Sequence, residues 1–248
     1  MQHYKTSEIA KIVNVHPNTV RFYEEMKLLP TIPRQKNKYR IYNSYHVEQL
    51  RLIRFAFDSE LISGNLRKMT IEIIKLAAIG KLNEATTRTL DYKEQISIQR
   101  DNAEEAVSIT EELLRAKETK RKISDLKLCR REAATHLSIT VDVIRDWERN
   151  GLIDVPRKAN GYRIYGDTEI KRLKVIRTLR NAHYSMMSIR RMLLQVDNNL
   201  DTDIREVIDT PLPSEDIISV TDHFITSLVI ADKNADEMLA QLEVMKKF

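Results

Sequence analysis

One long pattern in this chain occurs twice. NKYRIYNSYHVEQLRLIR (Asn37 to Arg54) returns as NGYRIYGDTEIKRLKVIR (Asn160 to Arg177). The likeness continues upstream, where VRFYEEMKLL (Val20 to Leu29) lies over IRDWERNGLI (Ile144 to Ile153) at an offset of 124. YRIY at Tyr39 and at Tyr162 then match at an offset of 123, as one deletion in the intervening loop requires. Downstream, LRKM at Leu66 pairs with IRRM at Ile189. A repeat of this length binds the two segments to one fold, so each copy can be read with the help of the other.

Each copy spells the same order of elements. SEIAKIV (Ser7 to Val13) and REAATHL (Arg131 to Leu137) place apolar residues at helical spacing. After a tight turn a second helix begins. Thr140 is its expected N-cap in copy two; in copy one Pro17 fits the first helical position behind His16. Asn150-Gly151 is a left-handed stop, for which copy one has the poorer Met26-Lys27. Asn160-Gly161 predicts a two-residue hairpin turn before the β-prone YRIY; Asn37-Lys38 predicts a looser tip in copy one. A basic helix follows, with Val47, Leu50, Ile53 and Phe57 on one face. Helix, turn, helix, hairpin, helix is the order of a winged helix-turn-helix.

Behind each copy runs a long helical pattern without proline, over Asn83 to Lys122 and over Ser214 to Lys247. In the second, Phe224, Leu228, Ala231, Ala235, Met238, Leu242 and Met245 alternate spacings of four and three, the seam of a coiled coil. The matching positions of the first are Gln99, Ala103, Ala106, Thr110, Leu113, Lys117 and Lys120, a smaller and more polar seam. The expected fold is mainly α: two winged helix-turn-helix domains, each followed by a long helix. These helices are expected to pair as an antiparallel coiled coil in a single-chain pseudo-dimer, with a homodimer as the competing arrangement. The expected boundaries are 1–82 and 124–200 for the winged domains, 83–123 for the first long helix, and 201–248 for a connector and the second.

Charge follows the same division. Lys and Arg exceed Asp and Glu by 6 over residues 1–68 and by 7 over 125–195; residues 69–124 are neutral and 196–248 carry a net of −8. Two basic blocks with one shared pattern point to a polyanion, double-stranded DNA above all. The one cysteine, Cys129, excludes a disulfide framework within the chain and is read as structural. His16, His46, His136 and His183 are scattered without ligand spacing, so neither metal nor cofactor is expected. No nucleophile–base–acid set or glycine-rich phosphate loop is present, so no enzyme is expected. Acid pairs such as Glu24-Glu25 read as solvated helix surface. No membrane span or signal-peptide core is found, and a cytoplasmic, nucleoid-associated setting is expected.

The ordered pattern TVRFYE (Thr19 to Glu24) or VIRDWE (Val143 to Glu148), then KLL or GLI, a basic loop, YRIY and L-x-x-I-R resembles the mercury-resistance-type (MerR-type) bacterial transcription regulators. The resemblance covers roughly residues 4–70 and 128–193. It implies that the second helix of each copy enters the major groove, that the wing grips the backbone, and that a long helix dimerises. It implies a regulator that distorts promoter DNA and so changes how RNA polymerase meets it. On the residues themselves, Asn18, Thr19, Arg21 and Phe22 form the expected reading face of copy one. Thr140, Asp142, Val143 and Arg145 form that of copy two. Asp146 departs from the family, where an aromatic is usual. Arg34, Lys36, Lys38 and Arg40, with Arg157, Lys158 and Arg163, suit phosphate contacts, and Tyr39 and Tyr162 suit packing on the sugar-phosphate backbone. The family's drug-sensing members carry a further C-terminal domain; none is expected here. The alternative reading is a DNA-bending architectural or recombination accessory protein, since excisionases share a related winged fold.

Overall fold

A computed structural model describes residues 3–58, 65–115, 126–198, 202–210 and 223–248. Among these it is helical, with extended segments meeting only as isolated bridges. The chain divides into two compact units that do not follow chain order. One comprises residues 1–98 and 227–248, the other residues 99–226.

In the first unit α1 (Thr6–Ile12), α2 (Pro17–Glu25) and α3 (Ser44–Asp58) form the helix-turn-helix and the helix behind the wing. The expected caps are in place. His16 precedes Pro17 and its Nδ1 accepts from the Asn18 amide at 3.2 Å. Val20, Leu50 and Ile53 are fully buried and Val47 nearly so, each such side chain contributing ~1.5–3 kcal/mol. Asn14 turns the chain between α1 and α2 at φ +53°. Arg54 on α3 fixes that turn by donating to the Val13 carbonyl at 2.7 Å. Gln49, wholly buried, donates to the carbonyls of Leu28 at 2.8 Å and of Ile74 on α4 (Asn65–Ala78) at 2.9 Å.

The second unit repeats these devices with α6 (Arg130–His136), α7 (Val141–Arg149), α8 (Asp167–Asn181) and α9 (Met186–Asn198). Thr140 caps α7, its Oγ1 accepting from the Val143 amide at 3.3 Å. Ser138 makes the turn at φ +52°, and Arg177 donates to the Leu137 carbonyl. Arg172 replaces Gln49, donating to the Leu152 carbonyl at 2.9 Å and to Asp197 at 2.8 Å. Ile144, Trp147, Leu173 and Ile176 occupy the core.

The wings differ from expectation in two respects. Each is a three-residue loop, not a two-residue turn. Gln35 N donates to Tyr39 O and Lys158 N to Tyr162 O, both at 2.8 Å. Only the third loop residue, Lys38 (φ +65°) or Gly161 (φ +82°), is left-handed, whereas the expected turn type needs two such residues. The tip of copy one closes in the same geometry: Lys38 adopts the conformation that glycine adopts in copy two. Likewise Lys27 takes φ +56° where Gly151 takes +70°. Pairing stops after one further bond, Ile41 N to Pro33 O and Ile164 N to Pro156 O, both at 2.9 Å. Each proline lacks the N–H that would return it.

Both units draw on the long helices. α5 (Leu82–Arg115) buries Ala85, Thr89, Tyr92 and Ile96 in the first unit, and Ala103, Ala106 and Thr110 in the second. The stripe keeps the four–three alternation, starts fourteen positions earlier than the expected seam and is only half-buried at Gln99. In α11 (Phe224–Met245), Leu228, Ala231, Ala235, Met238, Leu242 and Met245 are buried and Phe224 half-buried. Within the first unit Lys93 on α5 ion-pairs with Asp236 and reaches Asp232 at 3.6 Å. Gln241 on α11 donates to the Glu48 carboxylate at 2.8 Å. In the second unit α10 (Ile204–Asp209) packs on α9, and Arg205 pairs with Glu104 at 2.5 Å. Asp209 accepts from the amides of Ile225 and Thr226, capping the start of α11. Lys117 and Lys120 lie outside the described residues.

Candidate nucleic-acid interface

The second helix of each copy presents the expected face. Asn18, Arg21 and Phe22 are exposed on α2 while Val20 is buried and Tyr23 turns half inward; Thr19 is half-buried. On α7, Thr140, Asp142 and Arg145 are exposed, Val143 and Asp146 half-buried, and Ile144 and Trp147 buried. Both arginines make a local contact. Arg21 donates to Asn18 Oδ1 and Arg145 to Asp142 Oδ1, each at 2.7 Å. Surface pairs of this kind contribute little, so both guanidinium groups stay available to a ligand.

The YRIY aromatics separate cleanly. Tyr42 and Tyr165 are fully buried, whereas Tyr39 and Tyr162 are 72% and 73% exposed at the wing tips. Lys36, Lys38, Arg157 and Lys158 are exposed beside them. A flat ring flanked by cations suits a sugar-phosphate edge.

Three predicted phosphate ligands are held by protein instead. Arg40 donates to Glu24 of α2 at 2.5 Å, with Arg34 at 3.4 Å from the same carboxylate. In copy two Arg163 meets Glu148 of α7 at 3.1 Å. Glu148 also takes Arg130 at 2.7 Å and the Tyr165 hydroxyl. Burial first, then the hydrogen bond to this carboxylate, pushes the Tyr165 phenol up to about 12. One carboxylate per copy therefore locks the wing to the reading helix. Glu24 is thus no solvated surface acid: its ion pairs cross 10 and 16 residues of chain. The repeat carried the clue, since the acid and the wing arginine recur together in both copies.

Cys129 is exposed immediately before α6, and its amide donates to Glu132 at 2.7 Å. Among the described residues no cluster of three or more His, Cys, Asp or Glu suits a metal ion, and no helix is long and apolar enough to cross a membrane.

Comparison with known proteins agrees with this geometry. Residues 5–42 match the family described as "MerR family regulatory protein" and residues 131–196 that described as "MerR HTH family regulatory protein". A "Probable heavy metal-dependent transcriptional regulator" of Haemophilus influenzae is 40% identical over 68 residues, 27% of this chain and 53% of that protein. The "HTH-type transcriptional regulator CueR" of Yersinia pestis is 42% identical over 50 residues, 20% of this chain and 36% of its own. The "HTH-type transcriptional regulator ZntR" of Escherichia coli K12 is 32% identical over 53, 21% of this chain and 38% of its own. The chain thus spans about half the length of the first of these relatives and less of the others. No solved structure gives a significant match. With both copies matched separately and both carrying the same reading helix and wing, this chain carries two tandem DNA-binding domains of MerR type.

Proposed function

We propose that the chain is a sequence-specific DNA-binding transcription regulator, each winged domain gripping one half of an operator. The observation that carries this is the duplicated reading face: two exposed helix faces with an arginine at the same repeat position, each beside a wing tipped by an exposed tyrosine and lysines. The long helices pair as an antiparallel coil within one chain, so that a single polypeptide does the work of a dimer. Their buried stripes at alternating spacings of four and three, and the sharing of each helix between two units, support that reading. Because the two faces differ in sequence, the operator is asymmetric or only approximately palindromic. Distortion of the duplex between half-sites changes how RNA polymerase meets a promoter, in a bacterial cytoplasm and on its nucleoid.

Selection of bound DNA from a random pool tests this directly, reporting site length and symmetry together. With four exposed wing cations set against phosphates, affinity falls on the order of 10²-fold between 50 and 200 mM salt. A flat salt response overturns the reading. Light scattering at a monomer mass with DNA bound supports the pseudo-dimer; a stable dimer carrying four DNA domains overturns it. Binding sites at recombination ends, not promoters, would assign the architectural role instead.

A further inference from the structure

The two reading helices share one construction, with a chemical inversion at its second residue. The second residue of each helix is exposed and bonds to the arginine three residues on. In copy one this residue is Asn18, in copy two Asp142. Arg21 occupies Asn18 Oδ1 and Arg145 occupies Asp142 Oδ1, each at 2.7 Å, so both guanidinium groups are steered the same way. Position 142 is also the more open of the Asp142–Arg145 pair, its side chain 84% exposed against 56% for the arginine.

What remains for a ligand is opposite in the two copies. With Oδ1 engaged, Asn18 offers its two amide hydrogens, which suit acceptors. Asp142, ionised, has no hydrogen to give and offers only acceptor oxygen. In the major groove, cytosine N4 and adenine N6 carry amino donors, while guanine (O6, N7) and thymine (O4) turn acceptors outward. A carboxylate facing an acceptor-only edge is both unpaired and repelled. The backbone supplies no alternative, because phosphates are anionic and push the carboxylate toward the bases.

We propose that Asp142 is a specificity-determining residue of the second half-site, requiring an amino-bearing base, cytosine or adenine, at the position it faces. Asn18 tolerates acceptor edges at the matching position of the first half-site. Arg145 and Arg21 read neighbouring guanine in both. The operator is therefore asymmetric at a defined place, where one base pair decides which half of the protein sits on which half of the site. This rests on the DNA-binding reading above and adds the base chemistry to it.

The test uses the full-length chain and its own selected operator. Wild type, Asp142→Asn and Asn18→Asp are measured on a panel in which each base pair of both half-sites is changed in turn, with thermal unfolding as a check on folding. The wild type discriminates about tenfold or more in favour of C or A at one position of the second half-site. Asp142→Asn loses that preference there and nowhere else, and Asn18→Asp creates it in the first half-site. Which of C and A is preferred separates the two donor edges. If Asp142→Asn tightens binding equally on every sequence and only changes the salt slope, the carboxylate faces phosphate and the proposal is overturned. Wild type that binds no DNA above background overturns the underlying reading, and this one with it. Wild type that binds specifically while both variants keep its base preferences overturns this inference alone.

Discussion

The two winged domains solve one problem with unequal means: how to hold a short, sparsely bonded wing against the reading helix. In copy two Glu148 gathers Arg130, Arg163 and the Tyr165 hydroxyl, and its side chain is only 8% exposed. In copy one Thr6 stands at the repeat position of Arg130, and Glu24, 23% exposed, is left with the two wing arginines. A carboxylate shielded from water and ringed by donors is costly to remove, because its partners stay behind desolvated. A wetter pair is screened. The same fold thus contains a rigid wing and a softer one.

The largest effect should follow from removing the clamp. Glu148→Ala is expected to lower the stability of the second unit by about 3 kcal/mol, and Glu24→Ala that of the first by about 1 kcal/mol. Trp147, the chain's one tryptophan, is buried in the second unit, so its fluorescence during denaturant unfolding reports that unit. Hydrogen exchange of α1 to α3 reports the other. Equal losses would end the distinction between the two wings.

Local signals made most of each domain legible. The caps at His16-Pro17 and Thr140, the stop at Gly151 and the inward positions Val20, Leu50 and Ile144 all follow from spacing and from the chemistry of single residues. The clamp was hidden because its partners are 10 to 18 residues apart and meet only in the folded domain. The left-handed residues of copy one were hidden for another reason: lysine does not advertise that conformation, and only the register with Gly151 and Gly161 reveals it. The return of α11 to the first unit rests on contacts such as Gln241 with Glu48, 193 residues apart, which no local pattern encodes.

Those lysines give the next effect in size. A non-glycine residue in the left-handed region costs ~1–2 kcal/mol, part of which the entropy of glycine in the unfolded chain returns. Lys27→Gly and Lys38→Gly should each raise stability by about 0.5–1 kcal/mol, while Gly151→Ala and Gly161→Ala each lower it by ~1 kcal/mol. Gly151 has the tighter site, since a Cβ there lies 3.2 Å from Arg190 Nε, whereas at Gly161 nothing lies within 4 Å. Lys38→Gly also removes a wing cation, so DNA affinity should fall while stability rises. If the lysine-to-glycine changes destabilise, the two copies do not share backbone geometry at these turns.

The smallest effect concerns the join between wing and third helix, and it depends on pH. In copy two the start of α8 is closed by Glu169, whose carboxylate accepts from the Gly166 amide at 2.8 Å. Copy one has His46 at that place, its Nδ1 within 3.1 Å of the Asn43 amide while Asn43 Oδ1 accepts from the His46 amide at 3.1 Å. The imidazole is buried against Tyr42, and burial lowers its pKa from the usual 6.5. The fold therefore favours neutral His46, and below pH 6.5 the unfolded chain takes up a proton that the folded chain resists. Stability of the first unit is complete above that pH and declines as pH falls from 6.5 through the lower folded value. A glutamine in its place can accept the same amide bond and does not titrate. His46→Gln should flatten the acid limb of the first unit, seen by hydrogen exchange in α3, and leave the Trp147 signal of the second unit unchanged. An acid limb that survives the substitution would place the titrating group elsewhere and remove this difference between the copies.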